Sequence, residues 1–403
     1  MRAALEGIRV IDLTVWFQGP VAAQHLADFG AEVIHVERPK GGDQGRGVRS
    51  IKALPVGDWN QYFLVINRNK KSLAVDLKQP RGREILYRLA EKSDVFLSNL
   101  AADNLAAWGL TYEELRAVNP RLVYAITSGY GRSATTTKPA FDMTVQALTG
   151  IMSRLGEPGE PPIYLGMGSG DAYGGLLAAL GILIALQQRR HTGTGPIVDA
   201  SLCGAQLLLA APTLQAYLAT GDTRYSRQRS RRTPDNPLWN TYPTRDGWLF
   251  LCVADDDASF ARLCRALGDP PLGRDARFAS AAGRREHATA LVDALDALFR
   301  ARSAGGWMER LRTEELAASP IGTLRDLSED PQAWANDYFL ETLCEEVKRK
   351  ATIRGLPIGL SKTPGRVESL GPELGQDSEL LLADLLGYSW DEIGALKDAK
   401  VIP

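Results

Sequence analysis

The chain has 403 residues, of which 44% are hydrophobic and 24% are charged, and its formal net charge is −1. This length exceeds the size at which a single hydrophobic core keeps growing, so two domains are expected. The near-zero net charge creates no general field that attracts nucleic acid or membrane surfaces. Neither partner is therefore expected, and any anion site must be built from local residues.

The spacing of cysteines and histidines argues against metal and disulfide frameworks. The four cysteines never form a CxxC pair, and the four histidines show no HExxH spacing. We therefore expect no metal centre and a reducing, cytoplasmic setting. The N-terminal residues look like a strand and not like a signal peptide. The most apolar stretch, residues 174–186, is shorter than the ~20 residues that cross a bilayer, so no membrane span is expected.

The first half of the chain alternates apolar strand patterns with helical patterns. In chain order, strands are predicted at residues 8–13, 31–37, 72–77, 94–98, 122–127 and 197–200, and helices at residues 22–29, 80–92, 112–117, 172–188 and 202–220. This alternation predicts an α/β fold in which helices cover both faces of a parallel sheet. Ligands of such sheets bind beyond the carboxyl ends of the strands.

A polar segment, residues 221–236, leads into a second unit. Its five arginines are accompanied by a single aromatic residue, which favours a solvated loop over a nucleic-acid surface. An Asp-Gly turn at residues 246–247 predicts a hairpin over residues 241–253. Further helices are predicted at residues 257–267, 287–300, 304–315, 380–386 and 390–397.

The segment with the clearest chemical signal runs from Gly166 to Gly175 and contains Asp171 among five glycines. Glycines let the backbone approach a ligand closely, and a carboxylate at a helix start is stabilised by free N–H groups and the helix dipole. Asp171 is therefore interpreted either as a nucleophile that is kept ionised or as an ordinary helix N-cap. A dinucleotide phosphate loop is a third reading, although the glycines fit GxGxxG poorly.

Two cationic segments are candidates for phosphate binding. Arg38 follows the second predicted strand and precedes a glycine-rich run, which suits either a phosphate clamp or a surface ion pair. Residues 67–71 (NRNKK) contain three cations before the third strand, which suits either a polyphosphate contact or a solvated loop.

With these segments in view, the sequence resembles the family III CoA-transferases, the group that contains formyl-CoA transferase and carnitine CoA-transferase. The resemblance spans nearly the whole chain through LEGIRVIDL, LADFGAEVIHVERP, NRNKKSLAVDLK and the block GDAYGGLLAALGILIALQQRRHTGTG. It implies a large Rossmann-like domain from residues 1–220 and 326–403, a smaller α+β domain from residues 226–325, and an interlocked homodimer. It also implies acyl-CoA and a carboxylic acid as substrates, with no tightly bound cofactor.

The reaction that the resemblance implies is carried by Asp171. In the family the matching aspartate attacks the donor thioester to form a mixed anhydride, and the released CoA thiolate then converts it into an aspartyl-CoA thioester. An acceptor carboxylate reverses these steps, or the CoA moves within one diacid. Positioning and exclusion of water must supply much of the rate, because a carboxylate is a weak nucleophile.

The resemblance also assigns the CoA contacts. They comprise Phe17 and Gln18 beside the thioester, Arg38 at the nucleotide, Val75, Asp76, Leu77 and Lys78 beside the adenine, and Asn99 and Leu100 along the CoA backbone. As a separate hypothesis, we expect Phe141 to offer apolar surface to an acyl chain. An Arg-Pro-Gly run that many members carry after the asparagine is absent here. The diphosphate is therefore expected to rely on Lys71, Arg46 or Lys138.

Two rival functions share this fold. The α-methylacyl-CoA racemases resemble this chain but use a His-Asp pair where it has Phe141-Asp142, and phenylalanine cannot exchange a proton. A non-catalytic acyl-CoA-binding protein is the other rival, and the intact Asp171 motif counts against it.

Overall fold

The computed structural model describes residues 2–51, 57–133 and 139–403. The chain divides into two compact units. The first unit comprises Met1–Ile151, Tyr164–Gln215 and Gln332–Pro403, and the second comprises Met152–Ile163 and Ala216–Pro331. Residues 152–163 thus group with the second unit, whereas the sequence prediction assigned them to the large domain.

A parallel sheet forms the centre of the first unit and confirms the predicted α/β class. Its strands are β1 Arg9–Leu13, β2 Glu32–Glu37, β3 Lys70–Ala74, β4 Val95–Ser98, β5 Val123–Ser128 and β6 Ile197–Ser201. Their order is β3-β2-β1-β4-β5-β6, and each neighbouring pair is parallel. This is the doubly wound order, in which the strand order reverses between β1 and β4 while all strands stay parallel.

Helices cover both faces of this sheet. Those of the first half are α1 Gln18–Asp28, α2 Gln61–Ile66, α3 Pro80–Glu91, α4 Ala102–Ala107, α5 Tyr112–Val118, α6 Asp142–Leu148, α7 Ser169–Thr192, α8 Leu202–Leu209 and α9 Ala211–Thr220. One apolar core joins the sheet to α3, α5 and the C-terminal residues, and another joins it to α1 and α7. Strands that are buried on both faces read as nearly continuous apolar runs, which explains why they were detectable in the sequence.

The third strand begins earlier than predicted, because a lysine lies inside the protein. Residues 72–77 were expected to form it, but β3 begins at Lys70, whose side chain is fully buried against Asp12. The pattern of apolar residues misses a strand whose buried position is occupied by a paired charge. The segment Val75–Leu77 therefore follows β3 at the carboxyl edge of the sheet.

The predicted helix over residues 202–220 is broken into α8 and α9, which meet at a bend of 80°. Pro212 lies in the first turn of α9. Proline lacks an N–H and its ring collides with the carbonyl four residues earlier, so the preceding helix cannot continue through it.

The helix α7 is longer than predicted and is packed through glycines. A Cβ atom on Gly175 would lie 2.6 Å from the carbonyl oxygen of Gln18 in α1, so glycine lets the two helices meet. The helix α7 has 24 residues, so the argument that residues 174–186 are too short to cross a bilayer does not hold for the helix that contains them. Among the described residues, α7 is long and apolar enough to cross a membrane, and so is the bent pair α8–α9 if it is taken as one span. A helix in a protein core can be equally long and apolar, and α7 buries nine residues, including Ala178, Ile182 and Ala185, mainly against α1 and the sheet.

The second unit contains the predicted hairpin and its own core. Its strands are β7 Trp239–Pro243, β8 Trp248–Cys252 and β9 Ala318–Pro320, paired antiparallel in that order. Its helices are α10 Asp257–Leu267, α11 Ala281–Glu286, α12 Ala288–Phe299, α13 Ala304–Thr313 and α14 Leu324–Glu329. Apolar side chains of the sheet and of α10, α12 and α13 form one cluster around Tyr242 and Phe299.

The C-terminal segment contains a hairpin that the sequence analysis missed. Its elements are α15 Pro331–Ala335, β10 Phe339–Cys344, β11 Arg349–Arg354, α16 Ser378–Leu380, a π-helical turn over Leu381–Leu385, and α17 Trp390–Asp398. The strands β10 and β11 pair antiparallel, but their mixed charges obscure a period of two. Backbone contacts such as Asp76 N–H to the Val401 carbonyl (2.8 Å) attach this segment to the sheet.

The glycine contact between α1 and α7 gives a stability prediction. Gly175→Ala should lower the free energy of unfolding by about 1–3 kcal/mol, because the new methyl group overlaps backbone that cannot move aside. Gly394→Ala is the matched control: it is also a helical glycine, but no atom lies within 4 Å of the position that its Cβ would take. It should raise stability by about 0.5–1 kcal/mol. Thermal unfolding measures both, and equal effects would contradict the packing argument.

Candidate active site

One amide side chain lies at the point where the strand order of the sheet reverses. Asn99 follows β4, and its side chain accepts a hydrogen bond from the Val15 N–H (2.9 Å) and donates one to the Val15 carbonyl (2.6 Å). Asn99 was assigned to the CoA backbone, but the structure shows both ends of its amide engaged with the turn after β1. It therefore fixes that turn at the topological switch point, where ligands of doubly wound sheets bind.

The turn between β1 and α1 carries Phe17 and Gln18 and includes a strained residue. Trp16 has a φ of 68°, a left-handed conformation that costs a residue other than glycine about 1–2 kcal/mol. The ring of Phe17 lies against Gly168, where a Cβ atom would be 3.7 Å away. The amide of Gln18 lies against Gly174 and donates to the Ala200 carbonyl (3.3 Å). Both predicted thioester-lining residues thus reach the start of α7.

Asp171 lies inside the first turn of α7, not before it. The helix begins at Ser169, and its N-cap is Gly168, which has a φ of 77° and forms no side-chain cap. The N-cap interpretation of Asp171 is therefore wrong. As the third helical residue, its carboxylate is half-buried near the positive end of the helix.

A second carboxylate already occupies that positive end. Asp142, the first residue of α6, is buried and accepts hydrogen bonds from the Gly170 N–H (3.1 Å), the Gln206 side chain (3.0 Å) and the Gln146 side chain (3.1 Å). Glycine is required at position 170, since a Cβ atom would lie 2.2 Å from both the Asp142 carboxylate and the Gln206 amide. All three donors are neutral, so they solvate the charge of Asp142 without cancelling it.

The neighbouring carboxylates give Asp171 an unusual protonation equilibrium. Burial and the negative charge of Asp142 raise the pKa of Asp171 from 3.8 to about 7. The expectation that the helix start simply keeps Asp171 ionised is therefore wrong. The first-turn N–H of Gly170 donates to Asp142, so part of the stabilisation that a helix start provides is directed to the other carboxylate.

Tyr62 in α2 is a site residue that the sequence analysis missed. Its ring lies 5.8 Å from the ring of Phe17. Burial and the charges of Asp171 and Asp43 raise the pKa of the Tyr62 phenol, which keeps its proton available for donation. No local motif surrounds Tyr62, and only the fold brings it to Asp171.

The residues predicted to contact the nucleotide lie at the carboxyl edge of the sheet. Arg38 is exposed just after β2 and donates to the Gly42 carbonyl (3.0 Å). After β3, Val75 and Leu77 are buried, whereas Lys78 is exposed. The adjoining carboxylate of Asp76 accepts from the Lys78 N–H (3.0 Å), and Leu100 is half-buried after β4.

The residues expected to replace the missing phosphate cations are placed differently. Lys71 lies at the opposite end of the sheet, where its ammonium contacts Glu32 (2.6 Å) at the start of β2. Arg46 makes two hydrogen bonds of 2.7 Å to Glu37 and stacks on Phe63, so its charge is already compensated. Lys138 lies outside the described residues.

Comparison with known proteins gives this site its context. The pattern that defines CoA-transferase family III matches residues 5–378. The chain belongs to CoA-transferase family III. It is 34% identical to succinyl-CoA–D-citramalate CoA-transferase of Chloroflexus aurantiacus, over 99% of this chain and 98% of that protein. It is 33% identical to succinate–glutarate CoA-transferase of Agrobacterium fabrum, over 94% of this chain and 95% of that protein.

A solved structure shares the architecture as well. The crystal structure of a CAIB/BAIF family protein from Brucella suis superposes with a TM-score of 0.85 at 28% identity, and the match covers 96% of this chain and 100% of that one. The protein is thus a family III CoA-transferase, and CoA thioesters are its substrates. The predicted family membership and fold class are confirmed.

The raised pKa of Asp171 leads to a stability prediction. The folded protein retains the Asp171 proton up to pH of about 7, whereas an unfolded aspartate loses it near 3.8, so folding is penalised increasingly as the pH rises between these values. Asp171→Asn should therefore raise the melting temperature at pH 8 and leave it unchanged at pH 4. Asp103→Asn, at an exposed first-turn aspartate of α4, should show no gain at pH 8. Equal melting temperatures of Asp171→Asn and wild type at pH 8 would contradict the prediction.

Proposed function

We propose that the protein transfers CoA from an acyl-CoA to a carboxylic acid through a covalent aspartyl-CoA thioester on Asp171. The observation that supports this most is a half-buried carboxylate whose pKa is raised to about 7, at a glycine-lined helix start beside Phe17 and Gln18. A carboxylate of higher basicity is a better nucleophile than an ordinary one, and at neutral pH a substantial fraction of it is still ionised.

The proposed steps conserve charge and atoms. An oxygen of Asp171 attacks the thioester carbon, the carbon–sulfur bond breaks, and CoA leaves as the thiolate while an acyl-aspartyl anhydride remains. The thiolate then attacks the aspartyl carbon, which releases the donor carboxylate and leaves the aspartyl-CoA thioester. The acceptor carboxylate attacks the aspartyl carbon of that thioester, which expels the CoA thiolate and forms a second anhydride. The thiolate then attacks the acceptor acyl carbon of this anhydride and forms the acceptor acyl-CoA. Asp171 is regenerated as a carboxylate.

Repulsion from Asp142 favours these covalent intermediates. Both the anhydride and the thioester are neutral at Asp171, so acylation removes a partly buried charge from the vicinity of a second one. Asp142 itself stays in place because three neutral donors hold it. The protein thereby destabilises the free nucleophile relative to its acylated form.

The names of the relatives suggest the substrate class. The two curated relatives are named for succinyl-CoA or succinate together with citramalate or glutarate, which are dicarboxylic acids. We propose a dicarboxylyl-CoA donor and a dicarboxylic acid acceptor, with transfer between two acids or within one diacid. In this assignment the nucleotide lies near Arg38 and the turn after β3, Phe141 borders the acyl group, and the enzyme works in the cytoplasm as a homodimer.

A racemase reaction lacks support in this site. Two-base racemisation needs a second proton acceptor beside Asp171, and the position next to Asp142 is held by Phe141. The Phe141 ring is 61% exposed and carries no exchangeable proton, so it suits contact with substrate but not proton transfer.

The role of Asp171 is tested by removing its carboxylate. Asp171→Ala should lower the rate of CoA exchange between succinyl-CoA and a panel of dicarboxylic acids by roughly a thousandfold or more. Wild-type enzyme incubated with acyl-CoA and then treated with hydroxylamine should carry a hydroxamate on Asp171, which peptide mass spectrometry locates.

Asp142→Asn serves as the control for trapping, because it keeps the nucleophile and should still yield the hydroxamate. Undiminished CoA exchange by Asp171→Ala would refute the proposal. Trapping on any other residue would do so too.

The influence of Asp142 is tested by the pH dependence of kcat/KM. In the wild type, kcat/KM should fall as the pH drops through about 7, because protonated Asp171 is not nucleophilic. Asp142→Asn removes the neighbouring negative charge, so this acidic limb should move to lower pH, while the rate on the plateau falls because the nucleophile is less basic. Asp103→Asn removes an exposed charge that is not among the causes of the raised pKa of Asp171, so it should leave the limb in place. An unmoved limb in Asp142→Asn would contradict the proposed coupling.

A further inference from the structure

A chain of buried charges lies beneath the turn that carries Phe17 and Gln18. The Lys70 ammonium lies 2.8 Å from the Asp12 carboxylate, which lies 3.0 Å from Nδ1 of His35. On the other side of the imidazole, Nε2 lies 3.5 Å from the Asp43 carboxylate. All four side chains are buried, and together they link β3, β1, β2 and the loop after β2. We call this set the charge chain.

The charge chain contacts the turn at both of its ends. At the β1 end, the Thr14 hydroxyl donates to Asp12, and the Trp16 N–H donates to Oδ1 of Asp43 (3.3 Å). At the α1 end, the Lys70 ammonium donates to the Pro20 carbonyl (3.0 Å). Three of the four charged side chains are therefore hydrogen-bonded to this segment: Asp12 and Asp43 accept from it, and Lys70 donates to it.

This arrangement explains how a tryptophan is held in a left-handed conformation. Trp16 has a φ of 68°, and such a conformation persists only where the surroundings over-determine it. The backbone N–H and carbonyl of Val15 are both hydrogen-bonded to the Asn99 side chain, and the Trp16 N–H donates to Asp43. Gly19 adds a steric constraint, since a Cβ atom there would lie 2.5 Å from Thr14.

The conformation of this turn sets the geometry at Asp171. Phe17 and Gln18 directly follow Trp16, and they lie against Gly168 and Gly174 on either side of Asp171 in α7. Tyr62 lies beside Phe17, and the pKa of its phenol responds to the charges of both Asp171 and Asp43. A change at Asp43 or His35 would therefore be transmitted to the reacting carboxylate through one short, rigid segment.

We propose that Lys70, Asp12, His35 and Asp43 are positioning residues for CoA transfer. They hold the turn between β1 and α1, here called the Trp16 turn, so that Phe17 and Gln18 meet the substrate beside Asp171. This inference rests on the proposed role of Asp171. Burying four charges is unfavourable unless they are well paired, and a paired chain of this kind fixes geometry more firmly than apolar packing of the same volume. A rigid turn is needed here because a carboxylate such as Asp171 is a weak nucleophile, and its reaction depends on exact placement of the substrate.

The charge on His35 makes the positioning sensitive to high pH. Burial alone lowers the pKa of His35, but the carboxylates of Asp12 and Asp43, with Glu37, outweigh it and raise the pKa to about 9. Other groups around the imidazole are the Lys70 ammonium at Asp12, the Arg46 guanidinium at Glu37, and the Phe63 ring at 6.4 Å. Above a pH of about 9 the imidazole is neutral, and two carboxylates lose the cation between them.

The first test compares two variants of Asp43. Asp43→Ala removes the acceptor of the Trp16 N–H and should lower kcat roughly ten- to a hundredfold, with a smaller change in the KM for acyl-CoA. Asp43→Asn keeps a carbonyl oxygen for that N–H and should recover most of the loss. Unchanged kcat in Asp43→Ala would overturn the proposal, and so would equal losses in both variants.

The second test uses the pH profile of the wild type, which needs no variant to fold. Its kcat should fall reversibly near a pH of about 9 as His35 loses its proton. His35→Asn keeps a donor toward Asp12 but does not titrate, so its kcat should be lower at neutral pH and should not show this fall. A wild-type profile without this limb, or the same limb in His35→Asn, would overturn the proposal.

Asp28→Asn is the matched control for a purely structural effect. Asp28 forms an equally buried ion pair with Arg68 (2.7 Å), at the opposite end of α1 from the turn. Loss of this ion pair in Asp28→Asn should lower the melting temperature and leave kcat of the folded enzyme unchanged. If Asp28→Asn lowers kcat as much as Asp43→Ala does, general destabilisation explains both and the positioning role is rejected.

The Asp171→Ala variant separates this inference from the proposed function. Transfer that survives in Asp171→Ala rejects the nucleophile itself. Transfer that is lost there, together with unchanged kcat in Asp43→Ala, rejects the positioning role alone.

Discussion

Two carboxylates compete for the positive end of one helix, and the chemistry of the site depends on that competition. Asp142 accepts a hydrogen bond from the Gly170 N–H at the start of α7, and Asp171 is the next residue after Gly170 in the same turn. A helix start stabilises a single negative charge well and a second one poorly. The pKa of Asp171 is consequently raised to about 7, which turns an ordinary acid into a base that operates near neutral pH.

The surrounding fold is what brings the two carboxylates together. Asp142 is at the start of α6, and Gly170 has no side chain that would separate it from α7. The α1 helix reaches the same point because Gly174 and Gly175 let it pack closely on α7. A doubly wound sheet supplies the frame, since the loops that follow its strands meet where the strand order reverses. Glycines thus decide how closely α1, α6 and α7 approach one another, and the sheet decides where they meet.

The sequence predicted the α/β frame and singled out Asp171, but it did not reveal the groups that surround Asp171. Strands buried on both faces were visible as apolar runs, and Asp171 was visible among its glycines. The buried positions of Lys70, His35 and Asp142 were not predicted, because a charged residue that is buried by ion pairs or by hydrogen bonds looks like a surface residue in a sequence. The misplaced start of β3 at Lys70 has that cause. The position of Asp171 within the helix was also misjudged, and the effect of Asp142 was missed because it depends on a contact with Gly170, which is 28 positions away in the sequence.

Charge is used in two opposite ways within one unit of this protein. Along the charge chain, each carboxylate has a cation beside it, so although burial alone raises the pKa of Asp12, Lys70 and His35 hold it well below its ordinary value. At Asp171 and Asp142, the neighbouring donors are neutral and one carboxylate repels the other. Compensated charges make the structure around a site rigid, and an uncompensated charge makes a site reactive. The Trp16 turn joins these two regions, because the charge chain holds the turn while Phe17 and Gln18 lie against the start of α7 on either side of Asp171.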